Sequence, residues 1–305
     1  MTFHNLFFKF IDVWYDRFQN RRRGYKFENV ACIVFSDIVY DSADPETCRL
    51  DLYRPAASEN AVLPVVFYLH GGGFEAGDKH CRRALSRWLV SLGYAVVNVN
   101  YGLAPAYKFP SQQIQLARAL NWVEANAAEY GLDLAKMVIA GDSAGGYYAA
   151  MLAHMCTDES LQLRLGVKLC SKFGAAIFNC AVYDFYSLAT RKMLFNLGKY
   201  IYYDITGVWP EQQNDYEWRQ LLSLPELITK DFPPSLIIWS ERDILCRGQA
   251  EIMLAAMREK GLGFTEYHSS KQRDNHCFSL MWKGDAAHRA NQLIRDFLIN
   301  FKDNK

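Results

Sequence analysis

No stretch of about 18 consecutive apolar residues occurs in this chain, so no membrane-spanning helix is expected. Neither sign of charge is in excess: 34 Lys and Arg stand against 33 Asp and Glu, a formal net charge of +1. Such a balance offers no basic footprint for nucleic acid and no field that would steer polyanions. The one short basic run, Arg21-Arg22-Arg23, reads as a solvated helix end. The eight cysteines, Cys32, Cys48, Cys81, Cys156, Cys170, Cys180, Cys246 and Cys277, include no C-x-x-C pair. Spread this way they read as unpaired, mostly buried thiols of a reducing compartment, and a cytoplasmic setting is expected. The apolar opening from Met1 to Phe8 lacks a basic n-region and a small-residue cleavage site, and its continuation is interrupted by Lys9, Asp12, Asp16 and Arg17. No signal peptide is therefore expected.

What is present is a chain of 305 residues, 50% hydrophobic and 14% aromatic, enough to bury a sizeable core. One α/β domain with an inserted or appended cap fits that length. Strand-like runs cover Ala31 to Val39, Arg49 to Tyr53, Val65 to Leu69, Ala95 to Val99, Met137 to Ala140, Ala175 to Cys180, Leu236 to Trp239 and Phe264 to Tyr267. From Val65 onward they alternate with helix-like segments: Leu85 to Leu92, Gln112 to Tyr130, Tyr147 to Cys156, Gln249 to Lys260 and Ala286 to Phe301. Short apolar runs without alternation suit strands buried on both faces, and strands separated by helices suit a mostly parallel sheet. The first two runs, separated by the turn-rich stretch Asp41 to Glu46, predict an antiparallel edge.

Two regions fall outside this rhythm. Leu6, Phe7, Phe10, Ile11, Trp14 and Phe18 recur at helical spacing, which predicts an N-terminal helix packed on the body, with a cover over an active site or a dimer contact as its functional readings. From Ala181 to Pro233 there is no clear strand but many aromatics, Tyr183, Phe185, Phe195, Tyr200 and Trp209 among them. So long and apolar a connection must fold on something, and a helical lid over a site is the natural expectation.

The chemistry-bearing residues lie between the strands. Gly141-Asp142-Ser143-Ala144-Gly145-Gly146 joins an apolar run to a helix-like segment, the strand–turn–helix setting of a nucleophile elbow. Small flanking residues are needed because strand and helix approach closely at the sharp turn. Ser143 is the candidate nucleophile, and a serine hydroxyl needs a base to take its proton. His276 is the candidate base, because it follows the last strand-like run in a polar loop, at the same sheet edge as Ser143; His268, within or just after that strand, is the competitor. Asp243, soon after the apolar run Leu236 to Trp239, can hold the imidazole tautomer, with Glu241 as its rival. Cys277 beside His276 invites a Cys–His dyad, but adjacent residues rarely meet productively. His70-Gly71-Gly72-Gly73 follows Val65 to Leu69, and such glycines let backbone N–H groups face a developing oxyanion. No Gly-Lys-Ser/Thr follows, so a phosphate loop is disfavoured. His70 is expected to support the loop by hydrogen bonding, and Asp142 to fix the elbow by accepting backbone N–H bonds.

As a set, these residues resemble the α/β-hydrolase fold's hormone-sensitive-lipase-like esterase family. The resemblance runs from about Val62 to the C-terminus. It rests on His70-Gly71-Gly72-Gly73-Phe74, Tyr101-Gly102-Leu103-Ala104-Pro105 with Phe109-Pro110, Gly141 to Gly146, Asp243 and His276-Cys277-Phe278. It implies a Ser143–Asp243–His276 triad, with an oxyanion hole from the N–H groups of Gly72, Gly73 and Ala144. His70, Gly71, Gly141, Asp142 and Gly145 then support the motif. It also implies a catalytic domain of residues 30–183 and 226–305 under a helical cap of 1–29 and 184–225. Two departures stand out: Gly102 replaces the family's usual arginine, and Ile244-Leu245-Cys246-Arg247 follows Asp243 where Pro-Leu and an acidic pair are common. The expected activity is that of a serine carboxylesterase acting on short acyl esters, without metal or organic cofactor. An amidase or arylformamidase on the same machinery is the alternative. A non-catalytic receptor is disfavoured, since no triad member is missing. The expected partner is a small-molecule ester, with a homodimer possible.

Overall fold

The computed structural model describes residues 3–58, 61–191, 193 and 196–303. Met1 and Phe195, and the side chain of Phe18, lie outside the described residues. The chain opens with helix α1 (Phe3–Tyr15), a π-helical stretch (Asp16–Arg23) and a short 3₁₀ turn (Gly24–Phe27). Next come β1 (Cys32–Val39), β2 (Arg49–Pro55), β3 (Leu63–Leu69), α2 (Arg83–Ser91), β4 (Ala95–Val99), α3 (Ser111–Asn126), β5 (Leu132–Asp142) and α4 (Ala144–Met155). The second half holds α5 (Glu159–Leu165), β6 (Ala175–Asn179), α6 (Phe185–Thr190), α7 (Leu197–Thr206), α8 (Leu224–Leu227), β7 (Ser235–Ser240), α9 (Gln249–Glu259), β8 (Phe264–Ser269) and α10 (Asp285–Asp303).

The strands form one eight-stranded sheet in the order β1-β2-β4-β3-β5-β6-β7-β8. Only β1, β2 and their junction with β4 are antiparallel; every pair from β4 to β8 is parallel. This is the mostly parallel, doubly covered sheet that the unalternating apolar runs predict. On β3, Val65, Phe67 and Leu69 enter one core while Val66 and Tyr68 enter the other. The first core also takes residues of α3 and α4, the second those of α2 and α10. A central strand with both faces packed has no place for a polar alternation, which is why its sequence shows none. The edge strand β1 is half-exposed throughout, as its mixed sequence allows.

Within 181–233 no strand forms among the described residues, apart from one isolated bridge between Asp184 and Ser223. The aromatic insertion folds as α6, α7 and α8 with intervening 3₁₀ turns. Phe185 is buried, with its ring 4.5 Å from Tyr147 and 4.9 Å from Phe74. Gln249 Oε1 accepts the N–H groups of Tyr183 and Asp184, both at 2.8 Å, tying the insertion to α9. Among the described residues no helix is long and apolar enough to cross a membrane.

Candidate active site

In a parallel sheet every strand delivers its following loop to the same edge, where ligands bind in open α/β folds. The loop after β3 carries His70 to Gly73, the turn after β5 carries Ser143, the loop after β7 carries Asp243 and the loop after β8 carries His276. Topology alone thus gathers residues that lie far apart in sequence.

Ser143 sits at φ 53° and ψ −122°, a conformation a non-glycine residue keeps only when its surroundings over-determine it. Those surroundings are visible. Its N–H donates to the Asn179 carbonyl at 3.0 Å, and its own carbonyl accepts from Gly146 at 3.0 Å and Val182 at 3.2 Å. The turn is so tight that a Cβ on Gly145 would lie 2.2 Å from the Leu69 carbonyl oxygen and 2.3 Å from that of His70. Only glycine fits where the first turn of α4 passes over the end of β3.

His276 and Asp243 are in direct contact, with Nδ1 2.8 Å from Asp243 Oδ2 and 3.0 Å from Oδ1. Asp243 is buried and also accepts the N–H groups of Leu245 at 2.8 Å and Cys246 at 2.7 Å. Burial alone would raise this carboxyl. The His276 charge and hydrogen bond, with the two N–H donors, outweigh it and hold Asp243 below the usual carboxylate range. The Asn275 side chain joins the two loops: its Oδ1 accepts the N–H of His276 at 2.7 Å and that of Ile244 at 3.1 Å. The rivals fall elsewhere. His268 and Glu241 pair with each other at 3.2 Å, both more than two-fifths exposed.

A cavity of about 30 Å³ brings Ser143, His276, Gly72, Gly73, Leu245 and Cys277 to one wall-to-wall space. Its roof is α1, through Phe8, Ile11 and Asp12, which fall on one helix face at i, i+3 and i+4. Gly73 has φ 63°, and a Cβ there would lie 2.2 Å from the Phe8 ring, so the loop and the N-terminal helix are in intimate contact. Two larger grooves meet at this cavity. One of about 600 Å³ shares Ile11, Leu245 and His276 and runs along Phe10, Trp14 and Phe278. The other, about 1010 Å³ and strongly charged, shares Asp12.

The His70 ring stacks on Tyr101 at 4.6 Å, and its Nδ1 lies 2.9 Å from the Gly71 carbonyl. Tyr101 also donates its hydroxyl to the His70 carbonyl. Asp142 differs from expectation. Its carboxylate takes side-chain donors rather than backbone N–H groups: Arg82 Nε at 2.8 Å, Arg82 Nη2 at 2.6 Å and the Tyr68 hydroxyl at 2.7 Å. The reason is position. Asp142 is still a residue of β5, whose backbone donors are used by neighbouring strands, so its side chain points to α2's approach and meets Arg82. At Gly102, where the resemblance leads one to expect arginine, the Tyr107 ring takes the space: a Cβ there would lie 2.3 Å from it.

Three features carry no sequence signal. Arg82 follows no motif. Asp12 faces the Ser143 cavity, and burial pushes its carboxyl up to about 7 despite Arg82 and the Gly77 N–H. Cys246 is buried and its N–H is one of the two backbone donors to Asp243.

Comparison with known proteins bears on the family and the fold. The BD-FAE family profile matches residues 50–256. The chain is 38% identical to esterase LipI of Mycobacterium tuberculosis over 107 residues, 35% of this chain and 33% of that protein. It is 37% identical to arylacetamide deacetylase of Bos taurus over 123 residues, 38% of this chain and 31% of that protein. The matched stretch thus spans about a third of these curated relatives. The crystal structure of esterase B from Lactobacillus Rhamnosis superposes with a TM-score of 0.78 at 24% identity, covering 93% of this chain and 92% of that one. That likeness establishes the α/β-hydrolase fold.

Proposed function

Because the chain belongs to the BD-FAE family of α/β-hydrolases, we propose that it is a serine carboxylesterase with Ser143 as nucleophile, His276 as base and Asp243 as the group that orients it. The observation that carries this reading is the His276–Asp243 contact at 2.8 Å beside a serine held at φ 53° in a shared cavity. Ser143 Oγ attacks the ester carbonyl carbon while His276 takes its proton, giving a tetrahedral intermediate. The N–H groups of Gly72, Gly73 and Ala144 receive the oxyanion; each such donor is worth about 3 kcal/mol in related hydrolases. His276 then passes the proton to the departing alcohol, leaving an acyl-serine. Water repeats the sequence and releases the acid. The buried Asp243 carboxylate keeps the proton on Nδ1 and stabilises the imidazolium. No step calls on a metal or organic cofactor.

Residues 1–29 and 184–225 act as a cap over the catalytic domain of 30–183 and 226–305. Phe8 and Ile11 over the Ser143 cavity, and Phe185 against Tyr147, support this division. The aromatic-rich insertion supports a confined pocket for short acyl groups, acetyl to hexanoyl. The eight unpaired cysteines suit a reducing, cytoplasmic setting.

Hydrolysis of p-nitrophenyl esters from acetate to palmitate tests the reading. Turnover should be highest at short chains and at least about tenfold lower at palmitate, the scale a confining pocket imposes. Comparable turnover across the series overturns the short-chain assignment. An acetanilide run alongside reads the amide alternative, which similarity to arylacetamide deacetylase makes worth one arm of the assay.

A further inference from the structure

Three thiols surround the His276 imidazole, each from a different loop. Cys180 follows β6, Cys246 lies in the loop that carries Asp243, and Cys277 follows His276. All three are buried and none is in a disulfide. The Sγ atoms of Cys180 and Cys277 and one nitrogen of His276 lie within 4.8 Å of one another. The Cys277 thiol donates to the Asn179 carbonyl at 3.8 Å, one residue before Cys180. Cys277 also lines the Ser143 cavity, so the cluster has a face on the space a small solute would enter.

We propose that Cys180, His276 and Cys277 form a site for a soft divalent cation, zinc or cadmium, and that filling it switches the enzyme off. Tetrahedral zinc holds sulfur at about 2.3 Å and imidazole nitrogen at about 2.0–2.1 Å, which sets its ligand atoms about 3.5–3.8 Å apart. The cluster therefore needs to close by about an ångström, within reach of side-chain torsions. Thiolate and imidazole are the donors that soft and borderline cations prefer. Asp243 already fixes the orientation of the ring, as outer-shell carboxylates do behind metal-bound imidazoles. Binding is written M²⁺ + 2 Cys–SH + His → M(Cys–S⁻)₂(His) + 2 H⁺, so two protons leave and the ion with its three ligands carries no net charge. The cation must displace both thiol protons, so occupancy rises with pH. Two carboxylates face the same cluster: Asp142, 4.0 Å from Cys277 Sγ and balanced by Arg82, and Asp243, which is bonded to His276 Nδ1 at 2.8 Å. The inhibitory consequence rests on the role proposed above for His276: an imidazole whose lone pair is shared with a metal cannot take the Ser143 proton.

The test is a cadmium titration of the full chain, reduced beforehand with a phosphine. It is followed by the ultraviolet thiolate-to-cadmium charge-transfer band and, in parallel, by p-nitrophenyl acetate turnover. The expected result is a band that saturates at one ion per chain while turnover is lost, with EDTA reversing both. Cys180→Ala should keep basal turnover, lose at least half of the band and need at least about tenfold more cadmium for inhibition. Cys277→Ala, read by the band alone, should lose as much and covers the case in which Cys180→Ala does not fold. No band at stoichiometric cadmium, or a band unchanged in both variants, overturns the site. So does inactivation that EDTA leaves and a reductant reverses, which would be a disulfide. Because the band needs no catalysis, a chain that bound cadmium but hydrolysed no ester would contradict the esterase reading and leave the site standing.

Discussion

Ester turnover should fall by about a million-fold when Ser143 is replaced by alanine, the loss seen when a triad nucleophile is removed. The fold should not change. The contacts that hold this residue at positive φ are made by its backbone: the N–H to Asn179, and the carbonyl to Gly146 and Val182. Alanine keeps all of them and keeps the Cβ, so the strain is the same with and without the hydroxyl. The activity left after the substitution is the background rate that oxyanion donors and binding supply without a nucleophile. Activity and far-ultraviolet circular dichroism, measured on the same preparation, separate a chemical loss from a folding loss.

Arg82→Met should be the most damaging substitution for stability. The Arg82–Asp142 pair is buried, bidentate and backed by the Tyr68 hydroxyl. A buried pair of this kind contributes little net stability over an apolar replacement, but removing one partner strands the other charge at a cost of about 3–5 kcal/mol. At about 2–4 °C per kcal/mol, the scale for somewhat smaller domains, the melting temperature should drop by about 6–20 °C. The pH dependence should change with it. Burial alone would raise Asp142, but Arg82 and Tyr68 outweigh it and hold its carboxyl below the usual range. A carboxylate with a depressed native pKa stabilises the fold above its unfolded value of about 3.9, and that contribution disappears as pH falls below it. The wild type should therefore lose stability on acidification below about pH 4, and Arg82→Met should lose the part of this step that Asp142 supplies, leaving the part from other lowered carboxylates such as Asp243. Thermal melts at neutral pH and across the acid range read both effects. A melting temperature within a degree of wild type would show that Asp142 is not held as described.

The parts of this fold that can be read along the chain are those with a local physical cause. The buried strands announce themselves because both faces are packed, so Val65 to Leu69 and Ala95 to Val99 are apolar without a break. The elbow is readable because its glycines answer a steric demand only a few residues wide. His276 can be separated from His268 because His268 lies within β8 and His276 beyond its end, whereas Asp243 and Glu241 share the loop after β7 and position alone does not separate them. The rest depends on contacts between distant segments. Nothing near Arg82 says that its guanidinium will meet Asp142, 60 residues on. The spacing of Leu6, Phe7, Phe10, Ile11, Trp14 and Phe18 predicts the N-terminal helix, but among the described side chains of this set only Ile11 lines the Ser143 cavity, beside Phe8 and Asp12 from outside the set, while Leu6, Phe10 and Trp14 are exposed. The true donors to Asp142 are hidden for the same reason: they come from β3 and from the approach to α2. The thiols around His276 stand at positions 180, 246 and 277, a separation no motif records.

The most direct test of the account is to trap the enzyme with a short-chain p-nitrophenyl phosphonate and map the adduct by peptide mass spectrometry. The account predicts one adduct per chain, on Ser143, absent from Ser143→Ala and formed far more slowly in His276→Ala. A stoichiometric adduct on any other residue, or none while the wild type still hydrolyses p-nitrophenyl acetate, would contradict it.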